Sequence, residues 1–479
     1  MVSCAEILKA AFDTTSRWNF NRRERVYLSI ACCLLVLFGF LLERRTALRD
    51  RPMTDLGVFC FASGAIWSGE NPYAIADSHG WHYQYPPVLA IMFLPFAEPP
   101  PLASTALPPD KPQMAINVTK DHYFGLHASN AHFAFTVVAW YVLSTLGILL
   151  SAHALACAME GSTLRSPPPG AVSARRRWWW RRLLPLVVCA GSLVTDLARG
   201  QVDILMLVAI ALGLYFVAVK KNLQAGLCLA FPATVKLFPP LLLAYPFYRR
   251  QWRMAAGVVG GLLIFLMILP LAALGPKRTT ELYHCWFEVL AKPALGEGTD
   301  TSRQQELTGM GRTDNQSLLA IIHNWTYRSL SHHQRPTAAD PWARDLVYAI
   351  GALMIIMMFR VMGFRQADAP HDLLVISGLL IGIGLLVNPI VHNFYYLLML
   401  PLVAALIDSS LLSENRLAMN WKLLLPVIVF MLADLLARVP VIGLCLRDYG
   451  MTTLSLIFLM CAGVAYLNSH TRFRRPATT

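Results

Sequence analysis

One aspartate stands out for its setting. Thr54-Asp55 lies a dozen residues past the first apolar run and opens a short segment running through Gly69-Glu70-Asn71-Pro72-Tyr73 to Tyr85-Pro86-Pro87. A carboxylate there, in an otherwise apolar chain, has the type and position of a general base working at a bilayer surface. Lys236 sits in an apolar run between Pro232 and Pro239-Pro240, where an ammonium is costly in lipid and function is the default reading. Arg199, ahead of Gly200-Gln201, and His392, between Asn388 and Asn393, fall in short caps between apolar runs where chemistry should also be sought. Each has a plainer reading. Thr54-Asp55 before an apolar stretch fits an ordinary helix N-cap, Lys236 fits a lysine snorkelling from a helix end, and a lone exposed histidine is commonly passive. Asp196 and Asp203 flank Arg199-Gly200-Gln201, which suits a local ion pair closing a helix–helix turn better than a metal site.

The elements that must position these residues are membrane helices. The chain has 479 residues, 56% of them hydrophobic and 14% charged, too apolar for a water-soluble globule. Apolar runs of about 15 to 25 residues recur along it, near the length needed to cross a bilayer as a helix. They lack the alternation of an outer-membrane barrel. The fold class expected is all-α, a polytopic membrane protein. The ten cysteines lie mostly inside apolar runs with no metal-ligand spacing. The net charge of +13 invites a nucleic-acid reading, but the basic residues cluster in short loops: the N-terminus, Arg165 to Arg182, Lys220-Lys221, Arg249 to Arg253, Arg360 to Arg365 and Arg472 to Arg475. That is the positive-inside pattern, and it puts both termini in the cytoplasm. Trp178-Trp179-Trp180 among the arginines reads as an interfacial anchor.

The spans expected lie near 26–42, 131–158, 183–198, 202–219, 223–248, 254–275, 346–362, 373–387, 390–407, 423–437 and 452–467. The run 223–248 should break near Lys236, because three prolines interrupt it, giving about twelve membrane segments. Residues 86–97 are too short to span comfortably and read as a re-entrant or interfacial helix, or as half of a hairpin. The organisation is then a cytoplasmic N-terminus (1–25), a first helix (26–42), and a first exterior segment (43–130) with a Pro-rich insertion near 98–130. A helical block (131–275), a second exterior loop (276–345), C-terminal helices (346–467) and a cytoplasmic tail (468–479) follow. In the first exterior segment Trp81, Tyr83 and Tyr85 suit either sugar stacking or an aromatic belt, and Glu70, Asp77, His79 and His82 are further titratable groups near Asp55. Asp434 and Arg438 are spaced to pair along one helix face.

Taken in order, Asp55, Gly69-Glu70-Asn71-Pro72-Tyr73, Tyr85-Pro86-Pro87, Gly200-Gln201, Lys236-Leu237-Phe238-Pro239 and Asn315-Gln316-Ser317-Leu318 resemble the pattern of glycosyltransferase family 87, over roughly residues 55–396. Two departures stand out. Members carry Asn where this chain has Asp203, and their late Ser-Pro…Trp…His motif is Asn388-Pro389-Ile390-Val391-His392 here.

The resemblance implies a GT-C type membrane glycosyltransferase with its site on the exterior face of a bacterial cytoplasmic membrane. It implies a polyprenyl-phosphate sugar as donor, mannose foremost, and a lipid-linked or cell-envelope glycan as acceptor. Asp55 would be the base, and Lys236, Arg199 and His392 would steady the leaving phosphate. Gln201, Tyr73, Tyr85, Asn315 and Gln316 would be substrate contacts by motif membership. No cofactor is implied, and no motif supports a divalent ion. A single acid is chemically sufficient: a glycosidase needs two carboxylates because its leaving alkoxide must be protonated, whereas a phosphate leaves as a stable anion. A transporter or flippase for lipid-linked sugars would share broken helices and an intramembrane lysine, though it would often show repeated halves. Here each motif occurs once.

Overall fold

The computed structural model describes residues 21–47, 54–76, 81–98, 130–161, 172–236, 240–292, 309–310, 313–331, 334–362, 369–412 and 420–473. The Pro-rich insertion, Asp77, His79 and 237–239 lie outside them. Among the described residues the chain is helical, with one isolated bridge between Ala76 and His82. The helices are α1 (Arg22–Thr46), α2 (Leu56–Ser68), α3 (Pro87–Met92), α4 (Asn130–Glu160), α5 (Val172–Val188), α6 (Ala190–Arg199), α7 (Asp203–Ala218), α8 (Asn222–Val235) and α9 (Leu241–Tyr248). Then come α10 (Trp252–Ala291), α11 (Leu318–Thr326), α12 (Pro341–Met362), α13 (Pro370–Val387), α14 (Leu400–Ile407), α15 (Trp421–Leu436), α16 (Ile442–Asp448) and α17 (Met451–Phe473).

Seven helical segments among the described residues are long and apolar enough to cross a membrane: Arg22–Thr46, His132–Glu160, Trp252–Ala291, Pro341–Met362, Pro370–Val387, Asn393–Leu411 and Met451–Ser469. That is fewer than about twelve because several apolar runs are split into shorter helices. The run at 183–198 is divided at Cys189 between α5 and α6, and α7 and α15 have 16 residues each. The break near Lys236 is present. α8 ends at Val235, Lys236 is extended, and helix resumes at Leu241. The segment α10 is two helices that meet at Gly275, whose φ 75° and ψ 168° are not helical, and the second of them, Pro276–Ala291, carries on past that break. Residues 86–97 form α3 and a 3₁₀ turn, Leu94–Phe96. Val88, Leu89 and Ala90 are fully buried, so this segment packs inside the protein.

Glycines set the closest helix approach. α8 and α10 meet at Gly226 and Gly257, where an added Cβ would lie 2.0 Å from the Met254 oxygen and 2.2 Å from the Leu223 oxygen respectively. One end of the bundle is held by charge. Arg175 bonds bidentately to Glu24, and Trp179 Nε1 donates to the same carboxylate at 2.9 Å. Arg182 pairs with Glu160 at 3.0 Å and lies 3.8 Å over the Trp178 ring. Arg181 and His371 both reach Asp408, at 2.5 Å each. Trp179 thus joins α5 to α1, Trp178 lies edge-on to His153 of α4 with ring centroids 6.0 Å apart, and of the three Trp180 alone is well exposed. These groups sit at the start of α1, α5 and α13 and at the end of α4 and α14. The residues singled out by sequence sit at the opposite ends of α13 and α14, one length of α13 away. Its 18 residues span about 27 Å at 1.5 Å per residue, close to a hydrocarbon core.

Candidate active site

Asp55 sits one residue ahead of α2, and the turn after α6 fixes it there. The Asp55 backbone N–H donates to the Arg199 carbonyl at 2.8 Å, the Thr54 hydroxyl donates to the same oxygen at 2.8 Å, and Gln201 Nε2 donates to Asp55 Oδ2. Arg199 Nη1 lies 3.7 Å from that oxygen. The turn works because Gly200 takes φ +63° and has no side chain; a Cβ would come within 2.8 Å of Leu56 Cβ and 3.1 Å of Thr54 Oγ1. The Asp55 side chain caps nothing in α2; the capping part of the Thr54-Asp55 reading falls to Thr54, whose Oγ1 accepts from the Leu56 N–H at 3.2 Å. The carboxylate is oriented by residues some 146 positions away, and its side chain keeps 16% exposure.

Lys236 ends α8, and its ammonium donates to both oxygens of Asp203, at 2.8 Å each. It lies 3.8 Å over the Tyr395 ring. Asp203, at the first position of α7, is fully buried. Asp196 is also fully buried, and neither of its carboxylate oxygens has a hydrogen-bond partner among the described residues. The expected local ion pair is therefore replaced by a long-range one: Asp203 serves Lys236, and Arg199 turns to Asp55.

His392 opens the 3₁₀ turn Asn393–Met399 with its ring stacked on Phe394 at 5.3 Å. The turn before it is tied down by Asn315, whose Nδ2 donates to the Pro389 carbonyl at 3.0 Å while its Oδ1 accepts from Val391 N at 3.1 Å. Ser192 holds the far side, donating to the Asn393 carbonyl at 2.8 Å, and it is itself gripped by Asp434. Asp434 pairs with Arg438 at 2.7 Å, the structural pair that their spacing suggests.

These parts share one cavity of about 690 Å³. Its polar lining includes Asp55, Arg199, Gln201, Lys236, Asn315 and His392. Trp81, His82, Gln84 and Tyr85 form one flank, with the Arg199 guanidinium 5.9 Å from the Trp81 ring. Burial, then Tyr395, Asp203 and Asp55, hold the Tyr85 phenol above its ordinary value, so it stays a neutral hydrogen-bonding group. The lining also has an apolar part, with Leu241 and Ala244 of α9, Ile355 of α12, Val387 of α13 and Leu290 of α10. Among the described residues no three His, Cys, Asp or Glu side chains are grouped to hold a metal ion.

The family model of glycosyltransferase family 87 matches residues 83–389, well over half of the chain and most of this cavity. The chain belongs to glycosyltransferase family 87. It is therefore a glycosyltransferase carried on membrane helices. No curated protein and no solved structure matches it. Asp55 lies 28 residues ahead of the matched residues and His392 three beyond them; Tyr85, Arg199, Gln201, Lys236 and Asn315 lie within them.

Two of the substrate contacts expected of this family 87 chain do not line the cavity. Tyr73 is buried behind it, its hydroxyl donating to the Tyr85 carbonyl at 3.0 Å. Gln316 is buried too, with its Nε2 donating to the Thr313 and Arg447 carbonyls at 2.8 and 2.9 Å. Both act as supports of the wall rather than as substrate contacts. Glu70 also stays outside, its carbonyl accepting from Arg278. Sequence reasoning missed Tyr395 and Asp203 as partners of Lys236, and Trp286 and Asp314 in the lining. Tyr395 lies three residues after His392, Asp203 two after Gln201 and Asp314 next to Asn315, whereas Trp286 lies beside no motif.

Proposed function

We propose that this protein is an inverting GT-C type transferase that moves a sugar, mannose foremost, from a polyprenyl-phosphate donor to a lipid-linked or cell-envelope glycan. The observation that carries the reading is the single cavity joining a carboxylate, three cationic or imidazole groups and an apolar arm. A polyprenyl-phosphate sugar has the matching three parts. Its tail lies against Leu241, Ala244, Ile355 and Val387, its phosphate meets Lys236, Arg199 and His392, and its sugar faces Asp55 and Trp81. The acceptor enters from the flank of Trp81, His82 and Gln84.

Asp55 Oδ takes the proton of the acceptor hydroxyl as that oxygen bonds to the anomeric carbon. The bond from that carbon to the phosphate oxygen breaks, and its electron pair leaves with the phosphate. Attack opposite the leaving group inverts the centre. The negative charge that develops on the phosphate oxygen is met by groups already in place. Gln201 and Arg199 hold the Asp55 carboxylate at the angle this needs.

The exterior location is supported by the separation of the site from the arginine-rich end by the length of α13, since basic loops mark the cytoplasmic side. With α7, α15 and the pairs α5–α6 and α8–α9 also counted as lying in the bilayer, the membrane segments number about twelve. The test is donor choice. Purified protein in native lipids should transfer label from polyprenyl-phosphate mannose to a glycolipid. Transfer from a nucleotide sugar with none from the lipid donor would overturn the reading.

A further inference from the structure

Lys236 presents a problem for a phosphate site. It lines the cavity, yet two of its three hydrogens are spent on Asp203 and a third side is covered by the Tyr395 ring. Asp203 has no exposure and is absent from the lining, so the cavity sees a lysine whose charge is balanced from behind. A pocket built only for tight phosphate binding would leave its lysine unmatched.

The reaction supplies a reason, taking the polyprenyl-phosphate donor proposed above as given. The donor is a phosphodiester with one negative charge. When the bond from the anomeric carbon to oxygen breaks, the bridging oxygen becomes terminal and the product is a phosphomonoester, approaching two negative charges near neutral pH. A cationic pocket therefore attracts its product more than its substrate, and the lipid product cannot diffuse away into water. We propose that Asp203 is a positioning residue for product release: by claiming Lys236 it keeps the pocket's charge low, so that the monoester product is not retained over the diester donor.

The measurement is competition binding on the full-length protein in nanodiscs, using a polyprenyl monophosphate and its methyl phosphodiester as probes. Asp203→Asn keeps the shape and one acceptor for Lys236 while exposing a full positive charge. It should tighten the monoester by about tenfold more than the diester, because one unit of charge near a partly buried site changes affinity on that scale. Initial turnover should fall less than steady-state turnover, since product accumulates on the enzyme. A ratio of the two affinities within threefold of wild type overturns the proposal.

Should Asp203→Asn alone not fold, because it leaves a buried ammonium uncompensated, the double variant Asp203→Asn with Lys236→Met restores neutrality. Its monoester-to-diester ratio should match wild type, and a ratio raised tenfold would overturn the proposal equally. If wild type binds neither probe, the donor assignment itself fails, and the charge argument falls with it. Binding of both probes with an unchanged ratio in the variant rejects only the role of Asp203.

Discussion

The placement of Asp55 by the Gly200 turn makes Gly200→Ala the most informative small change in the protein. Two effects add. Gly200 holds φ +63°, a left-handed conformation costing an L-residue roughly 1–2 kcal/mol. The new methyl would also lie 2.8 Å from Leu56 Cβ and 3.1 Å from Thr54 Oγ1. Neither neighbour is the tip of a flexible chain, and overpacking of that kind costs about 1–3 kcal/mol. The cheapest relief is for the start of α2 to move away, which lengthens the bonds from Thr54 and Asp55 to the Arg199 carbonyl and displaces the base. Misplacing a catalytic group by about 1 Å can cost a hundredfold, so a shift of a few tenths of an ångström should lower turnover by about tenfold. Gly69→Ala is the matched control. Gly69 also has positive φ, +81°, but nothing lies within 4 Å of its added Cβ, so it should carry strain without displacing Asp55. Both variants should be assayed for sugar transfer at saturating donor, with thermal midpoints recorded on the same preparations. Equal loss of turnover in the two, or wild-type turnover in Gly200→Ala, would refute the argument that contact with Leu56 and Thr54 positions the base.

Further outcomes follow from the same geometry. Gln201→Ala removes the amide that donates to Asp55; a hydrogen bond to a charged group is worth about 1.5–3 kcal/mol, so kcat should drop about ten- to a hundredfold with donor KM little changed, and a fall confined to KM would count against it. Lys236→Ala leaves Asp203 buried without its partner, which should destabilise the protein by about 3–5 kcal/mol and raise donor KM more than acceptor KM; a raised acceptor KM alone would assign Lys236 to the other substrate. Gly226→Ala should lower the thermal midpoint by forcing α8 from α10, whereas Gly260→Ala, whose Cβ meets nothing, should be neutral or stabilising by up to about 1 kcal/mol; equal midpoints would deny the close helix contact.

What the sequence made legible were features written in local order. Apolar run length disclosed a helical membrane protein, three prolines disclosed the break at Lys236, and i,i+4 spacing disclosed Asp434 with Arg438. The motif residues Asp55, Arg199, Gln201, Lys236, Tyr85, Asn315 and His392 converge on one cavity. The rest depends on contacts between distant parts of the chain. Lys236 and Asp203 are 33 residues apart, and Asp55 and Gln201 are 146 apart, with no periodicity linking either pair. For the same reason local spacing points Arg199 toward its near neighbours Asp196 and Asp203, whereas in the fold it turns to Asp55. Tyr73 and Gln316 show the converse: a motif position holds the wall of a site as readily as it lines it.

The central claim is that Asp55 is the base of lipid-donor sugar transfer, and Asp55→Asn tests it with the least structural change. The amide keeps the size of the side chain and can still accept from Gln201, so the protein should remain in the membrane with wild-type yield and thermal midpoint. Transfer of label from a polyprenyl-phosphate sugar should become undetectable while binding of the donor persists. Transfer near the wild-type rate by a folded, donor-binding Asp55→Asn protein would contradict the account.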